Sequence, residues 1–480
     1  MIKHKIFDSI EAFKRFSKKT KNTIRYGNLD KHINPMFGNA DKLKAYNRSR
    51  VTGPEPCVCH APSRSLYFDL HGNATACCFN RVHILGKYPE NSIDEIINSE
   101  KRKTLQAELC RQNFMYGCQH CHKLIEAGNF DGVEARLYDP LKDQGTNPSE
   151  IIFELDNTCN LECTMCHEGF SSSIAKSKGL DKIKTPYDKE FLKQLEKYIP
   201  NLKVAKFLGG EPFLINIYYE IWDLIIKINP KCKINLQTNG TVYNKKVESY
   251  LKKGNFYIGV SIDSLQKDTF ESIRKNANLD LVLENLDKII DISKKKNNYV
   301  NLSVCPMQQN WKELPDLVNF CNNKKIFIYF NTVYTEGFAI SQMSEEELLK
   351  IKTHLNTSKI SGRGIIAKRN IRFFNNLKTQ IESWYIEKYN EGLYFKKRHL
   401  YSSDKVKEVI IKLTKSNKHT QEIIHKVFNF ENRDFLISDE ALKNIESLNS
   451  EEIITIANTE TVDQIRQRIF QFIEIGRFGE

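Results

Sequence analysis

The sequence predicts an α/β fold, a set of parallel strands joined by helices, with a small cysteine-rich α+β unit before it and a helical region after it. Three observations carry that expectation. Short β-branched or aromatic runs alternate with amphipathic stretches between residues 151 and 340, the pattern of parallel strands with right-handed crossovers. Three thiols, Cys159, Cys163 and Cys166, follow the first of those runs at C-x3-C-x2-C spacing. Polar motifs recur at the ends of later runs, where ligands sit in parallel α/β folds.

At 480 residues the chain has room for roughly two to four domains. Met1 to Lys5 is short and polar, unlike a signal peptide, and no apolar run reaches the ~18 residues of a membrane span. A cytoplasmic protein without a membrane partner is therefore expected. In that setting thirteen cysteines, ten of them between Cys57 and Cys166, argue for metal or redox sites over disulfides. The net charge of +13 does not by itself make nucleic acid a partner. Much of the excess lies between Ser361 and Thr420, in residues such as Arg363, Lys368, Arg369, Arg372 and Lys378. It reads as a solvated helical face, the alternative being a basic surface for an acidic peptide or polyanion.

In chain order, residues 1–50 read as a helical arm, with Ile6, Ile10, Phe13 and Phe16 at helical spacing and no pattern around Gly27 to Ala40. Residues 51–126 form the cysteine-rich unit. Ser65 to Leu70 is a strand, His71-Gly72-Asn73 a turn, and Ala74 to Cys78 the returning strand, so the hairpin delivers cysteines at its end. Ser92 caps a helix with an acidic first turn, and Cys118-Gln119-His120-Cys121 follows as a tight C-x-x-C. Residues 127–150, with Gly128, Gly132, Pro140, Gly145 and Pro148, read as a linker. Strands are then expected at 151–155, 203–208, 233–237, 257–262, 299–305 and 326–330, with the clearest helices at 216–228 and 281–294. From 341 to 480 the pattern is helical: a capping sequence at Ser344, a break at Ser361 to Gly364, and periodic stretches at 371–389, 421–428, 440–448 and 462–475.

The chemistry starts at Cys159. Three thiolates on one short loop can hold three corners of a cubane iron-sulfur cluster, leaving the fourth iron free to bind a small molecule. Zinc, or a purely structural cluster, is the alternative; His167 directly follows the third thiol, although zinc more often takes two C-x-x-C pairs or added histidines. Four thiolates from Cys59, Cys77, Cys118 and Cys121 could close a second site completely, with Cys57, Cys78 and Cys110 as possible substitutes. A zinc-stabilised hairpin would be satisfied equally well by that set. Cys305, at the end of the fifth strand of the repeating series, is a candidate hydrogen-atom or proton donor, against the plainer reading of a buried thiol. Cys232 and Cys321 read as structural.

Cys159-Asn160-Leu161-x-Cys163-x-x-Cys166 resembles the signature of the radical S-adenosylmethionine (radical SAM) enzymes. The resemblance implies a partial (β/α)6 barrel, a 4Fe-4S cluster chelated by SAM at its open iron, an external electron donor of flavodoxin or ferredoxin type, and a 5′-deoxyadenosyl radical that abstracts hydrogen from substrate. Met165 departs from the pattern, many members carrying an aromatic residue there. By the same resemblance Gly209-Gly210-Glu211-Pro212 would meet the SAM amino group, Thr238-Asn239, Ser261 and Asp263 would suit its ribose and methionine parts, and Arg274 could pair with its carboxylate. The block from Cys59-His60-Ala61-Pro62 through Gly72, Cys77-Cys78, Leu85-Gly86 and Ser92 to Ile96 to Gly117-Cys118-x-x-Cys121 resembles the SPASM and twitch auxiliary-cluster domains, implying a second 4Fe-4S cluster. Such domains mostly follow the core; here the block precedes it. These resemblances make a peptide or protein the expected substrate, a sugar- or aminocyclitol-type small molecule the runner-up, and a zinc-stabilised nucleic-acid or protein-binding module the non-enzyme alternative.

Overall fold

The computed structural model describes residues 39–141 and 147–394, then 400–401, 403–414, 417–428, 437–438 and 450–459, with isolated positions between 442 and 465. The periodic stretch at 6–16 and most of those at 440–448 and 462–475 lie outside the described residues.

Eleven strands organise the site: β1 (Ser65–Phe68), β2 (Asn73–Thr75), β3 (Gly86–Lys87), β4 (Glu150–Phe153), β5 (Glu162–Cys163), β6 (Val204–Phe207), β7 (Lys233–Thr238), β8 (Phe256–Ser261), β9 (Arg274–Lys275), β10 (Val300–Val304) and β11 (Phe327–Phe330). Nine of them make one sheet in the order β11-β10-β8-β7-β6-β4-β1-β2-β3. All six strands expected in the repeating part are present, and each pairs in parallel with its neighbour. Helices between them carry the chain back, as parallel pairing requires. The result is a partial, unclosed barrel.

The sheet does not begin where the repeating pattern begins. Strand β1, from the cysteine-rich unit, pairs in parallel with β4 along its whole length, Ser65 opposite Glu150 and Phe68 opposite Phe153. The expected hairpin is present, Tyr67 facing Thr75, but it extends the barrel wall. The stretch read as a linker is likewise packed: Val133, Ala135 and Tyr138 are buried, and the fully buried Asp139 pairs with Arg50.

Alternation along each strand divides the residues. Leu66, Phe68, Ile151, Phe153, Ala205, Phe207, Ile234, Leu236, Ile258, Val260, Leu302 and Ile328 join the main apolar core with the helices. The opposite face carries Tyr67, Lys206, Asn235, Gln237, Ser261, Asn301 and Ser303, so the barrel's inner wall is polar. Trp222, fully buried on the helix Asn216–Ile228, anchors the outer layer among Phe207, Phe213, Tyr219 and Phe256. Phe68 packs edge-on to Phe191.

At the other edge, the helix Ile365–Tyr394 covers β11. Asn370, fully buried, accepts from the Ile328 N–H (3.1 Å) and donates to Ile326 O (2.9 Å), so one side chain satisfies the exposed rim of an edge strand. Ser344 and Glu347 form the expected capping box. Beyond it, Val406, Val409, Ile410, Ile424, Leu442 and Ile445 build a small separate core. Among the described residues no helix is long and apolar enough to cross a membrane.

Candidate active site

Past β4 the chain turns through Asp156, whose carboxylate accepts from the Thr158 N–H (2.7 Å) and hydroxyl (2.6 Å), into the cysteine loop. Each thiol is then fixed by a different contact. The Cys159 N–H donates to Ser172 Oγ (3.0 Å), and Leu161 is sunk into the protein. Cys163 lies in β5, which pairs antiparallel with β9 and puts it opposite Arg274. The Cys166 N–H donates to Cys163 O at 3.0 Å, closing a turn.

The Gly209-Gly210 turn presses on the base of this loop. Gly210 has φ 45°, and a Cβ there would lie 2.2 Å from Thr158 O, so a side chain is excluded. The same contact lets the Glu211 N–H donate to Thr158 O at 2.8 Å. Pro212 opens a short 3-10 turn behind it. Glu211 is fully buried; its carboxylate accepts from the Thr238 hydroxyl (2.7 Å) and from the N–H groups of Asn239 (2.7 Å) and Phe213 (3.1 Å). Burial pushes its pKa up to about 7 despite those donors. Thr238 and the Asn239 backbone thus hold Glu211, while the Asn239 side chain donates to Asn160 Oδ1 (3.0 Å) and lies 3.9 Å from Cys159 Sγ. Ser261 accepts from Gln237 on the inner wall (2.7 Å).

Arg274 is committed in this structure to Asp263, an ion pair at 2.8 Å with both groups buried, and its Nη1 stands 3.8 Å from Cys163 Sγ. A cation there favours a thiolate. Asp263 also accepts from the Cys305 N–H (2.7 Å). Cys305 is half-buried against a small apolar cluster with Met165, Ile273, Met307 and Val333, with Cys163 and Cys166 among its electrostatic neighbours. Cys232 and Cys321 are buried in the main core.

The second cysteine group converges as well. Cys59, Cys77, Cys118 and Cys121 line one pocket with Phe114 and Tyr138 in its walls. Gly117 shapes it: with φ 83°, a Cβ would meet Asn80 Oδ1 at 2.2 Å, and Asn80 Nδ2 donates to Tyr116 O (2.7 Å) beside Cys118 Sγ (3.5 Å). The Ala61 N–H points at Cys59 Sγ (3.3 Å). Cys57 and Cys110, held as substitutes from the sequence, correct that reading. They form a disulfide, because the helix Glu100–Cys110 ends against residues 57–58 and brings their Cα atoms to 3.9 Å. Cys78 has Lys206, Glu134 and Glu154 as charged neighbours, on the barrel side.

The second donor set fits an iron-sulfur cluster, and Cys159, Cys163 and Cys166 lie close enough on one loop to influence one another's ionisation. Among the described residues no three His, Cys, Asp or Glu side chains close on the point a single ion would occupy. A cube asks something different, one thiolate per iron around a common space, and the four pocket thiols meet that requirement. Burial pushes Cys59 up to about 11, and Cys77 and Cys166 up to about 12, so ionisation there depends on the iron's own charge. His167, the possible fourth ligand of a zinc reading, has Nδ1 taken by the Gly169 N–H (3.1 Å) and its ring against Phe170.

Residues 154–321 match the family model of the radical SAM superfamily, and residues 57–122 match that of an iron-sulfur cluster-binding domain, SPASM. The chain carries a radical SAM domain preceded by a SPASM domain. A radical SAM domain implies a 4Fe-4S cluster and SAM, and a SPASM domain an auxiliary iron-sulfur cluster. Among curated proteins the chain is 29% identical over 187 residues to a probable GTP 3′,8-cyclase of Methanocaldococcus jannaschii, covering 38% of this chain and 58% of the relative. It is 27% identical over 216 residues to the GTP 3′,8-cyclase of Clostridium perfringens, covering 44% and 64%. The match thus spans less than two thirds of either relative. Solved structures similar to this chain include anSMEcpe with bound AdoMet (20% identity, TM-score 0.34, 45% of this chain and 63% of that one). Streptococcus suis SuiB bound to S-adenosylmethionine is another (14%, TM-score 0.33, 51% and 56%).

Several residues of this site gave no motif. Asn160 and Asp156 are silent in sequence, and Arg81, Glu154 and Lys206 look like ordinary surface charges. One signal was available. Glu150 and Lys206 lie on strands whose outward neighbours are wholly apolar, and a charge at such a position turns to the inner face, where the two pair at 3.0 Å.

Proposed function

We propose that this radical SAM protein holds its SAM-binding cluster on Cys159, Cys163 and Cys166 and an auxiliary cluster on Cys59, Cys77, Cys118 and Cys121. In this reading it abstracts hydrogen from a peptide or protein substrate admitted to the polar inner wall. The observation that carries the reading is the convergence of Glu211, Asn239 and Arg274 on the cysteine loop at the carboxyl ends of parallel strands. The loaded cluster and SAM together supply a 5′-deoxyadenosyl radical. The chain's own residues bind and orient: Glu211 offers a carboxylate to the SAM ammonium, and Arg274, re-paired from Asp263, offers a guanidinium to its carboxylate. The polar row Gln237, Ser261, Ser303 and Asn301, joined by hydrogen bonds of 2.7 to 3.1 Å, gives a substrate amide or hydroxyl group fixed partners. An outside donor of flavodoxin or ferredoxin type supplies the electron.

The peptide reading is supported by the SPASM domain. A small-molecule substrate is the second reading, supported by the names of the curated relatives. Anaerobically purified protein is expected to contain about eight iron per chain, as two four-iron clusters require, and to convert SAM to 5′-deoxyadenosine under reductant. Colourless, zinc-only protein refutes the reading. Deuterium transfer into 5′-deoxyadenosine from labelled peptides, tested beside labelled GTP, distinguishes the two substrate classes.

A further inference from the structure

We infer that Arg81 is a positioning residue that brackets the two cluster loops against each other; this rests on the reading above, in which both loops carry clusters. Arg81 follows Cys77 and Cys78 in the auxiliary unit. Its Nε donates to Cys78 O (3.0 Å), the carbonyl next to a proposed auxiliary ligand. Its Nη1 and Nη2 donate to the two oxygens of Glu154, each at 3.1 Å. Glu154 is buried just past β4, two residues before the Asp156 that fixes the base of the Cys159 loop.

The guanidinium also lies over the Tyr67 ring of β1 (5.2 Å) and the Phe170 ring (5.3 Å), four residues past Cys166. One side chain therefore touches the auxiliary loop, the entry to the SAM-cluster loop and its exit. A planar fork with two usable faces and three donating edges does this; a lysine ammonium cannot. Electron exchange between two clusters depends steeply on their separation, so a contact common to both loops acts on that separation.

The test compares reconstituted wild type with Arg81→Lys, Arg81→Met and the pair Arg81→Met with Glu154→Leu. Arg81→Lys keeps a charge opposite Glu154, and the double variant removes both charges, so neither leaves a buried carboxylate unpaired. Iron content is counted, and the mutual relaxation enhancement of the two reduced clusters is read from microwave power saturation of their paramagnetic resonance signals. Iron content is expected to match wild type, with the enhancement lost in Arg81→Met and the double variant and reduced in Arg81→Lys. Wild-type saturation in all three doubly loaded variants overturns the bracket and leaves the function reading standing. So does a doubly loaded wild type without mutual enhancement. A wild type that takes up a single cluster overturns both.

Discussion

Glu211 concentrates the residue-scale physics of the site. A fully buried carboxyl with three donors is lifted by desolvation to about 7, above the usual carboxylate range. Below that value the folded chain keeps a proton that the unfolded chain has released, so stability falls as pH rises through the interval, by at most about 1.4 kcal/mol per pH unit. The SAM-free wild type should lose urea resistance between about pH 5 and pH 7.5 relative to Glu211→Gln, which does not titrate; a difference that stays level across that range would refute the assignment. The cysteines give a sharper division. Cys163→Ala is expected to lose about four iron and all SAM cleavage, whereas Cys77→Ala should lose about four iron and keep the first cluster, as separate four-iron sites require. Iron counting with an assay for 5′-deoxyadenosine checks both.

At the scale of elements, the turn at Gly210 lets two loops approach closely, and the helix over β11 does a job that a motif reading misses. A methyl group at Gly210 would sit 2.2 Å from a backbone oxygen of the cysteine loop. Gly210→Ala should therefore push that loop away and lower iron at the first site while leaving the second loaded. Asn370 exchanges hydrogen bonds with two backbone groups on the outer rim of β11, the Ile328 N–H and the Ile326 carbonyl. Its replacement by Ala orphans them, with an expected destabilisation of about 1–3 kcal/mol in urea unfolding. The Ser344 cap, the break at 361–364 and the helix after it were legible because capping and glycine signals are local. The role of Asn370 was not, because its partners lie more than forty residues away in sequence.

For the whole molecule the decisive fact is that the auxiliary unit and the barrel share one sheet. Phe68 belongs to the SPASM domain, yet its fully buried ring packs in the same core as Phe191 and Phe153. Phe68→Ala should cost about 3–5 kcal/mol and lower a single unfolding transition common to both domains. Two transitions, with only the first displaced, would show that the domains fold independently.

The sequence by itself determined the six repeating strands, the two cysteine sets and the polar motifs at the strand ends, because alternation, spacing and turn chemistry are written within a few residues of one another. It also pointed to the radical SAM and SPASM domains that the family models match. Tertiary structure alone decided that β1 is a barrel strand, that Cys57 and Cys110 pair with each other, and that Arg274 is held by Asp263. Thr238 and the Asn239 backbone serve Glu211 by the same token. Each of these depends on which distant segments become neighbours, and a parallel pairing such as β1 with β4 spans more than eighty residues without leaving a local trace.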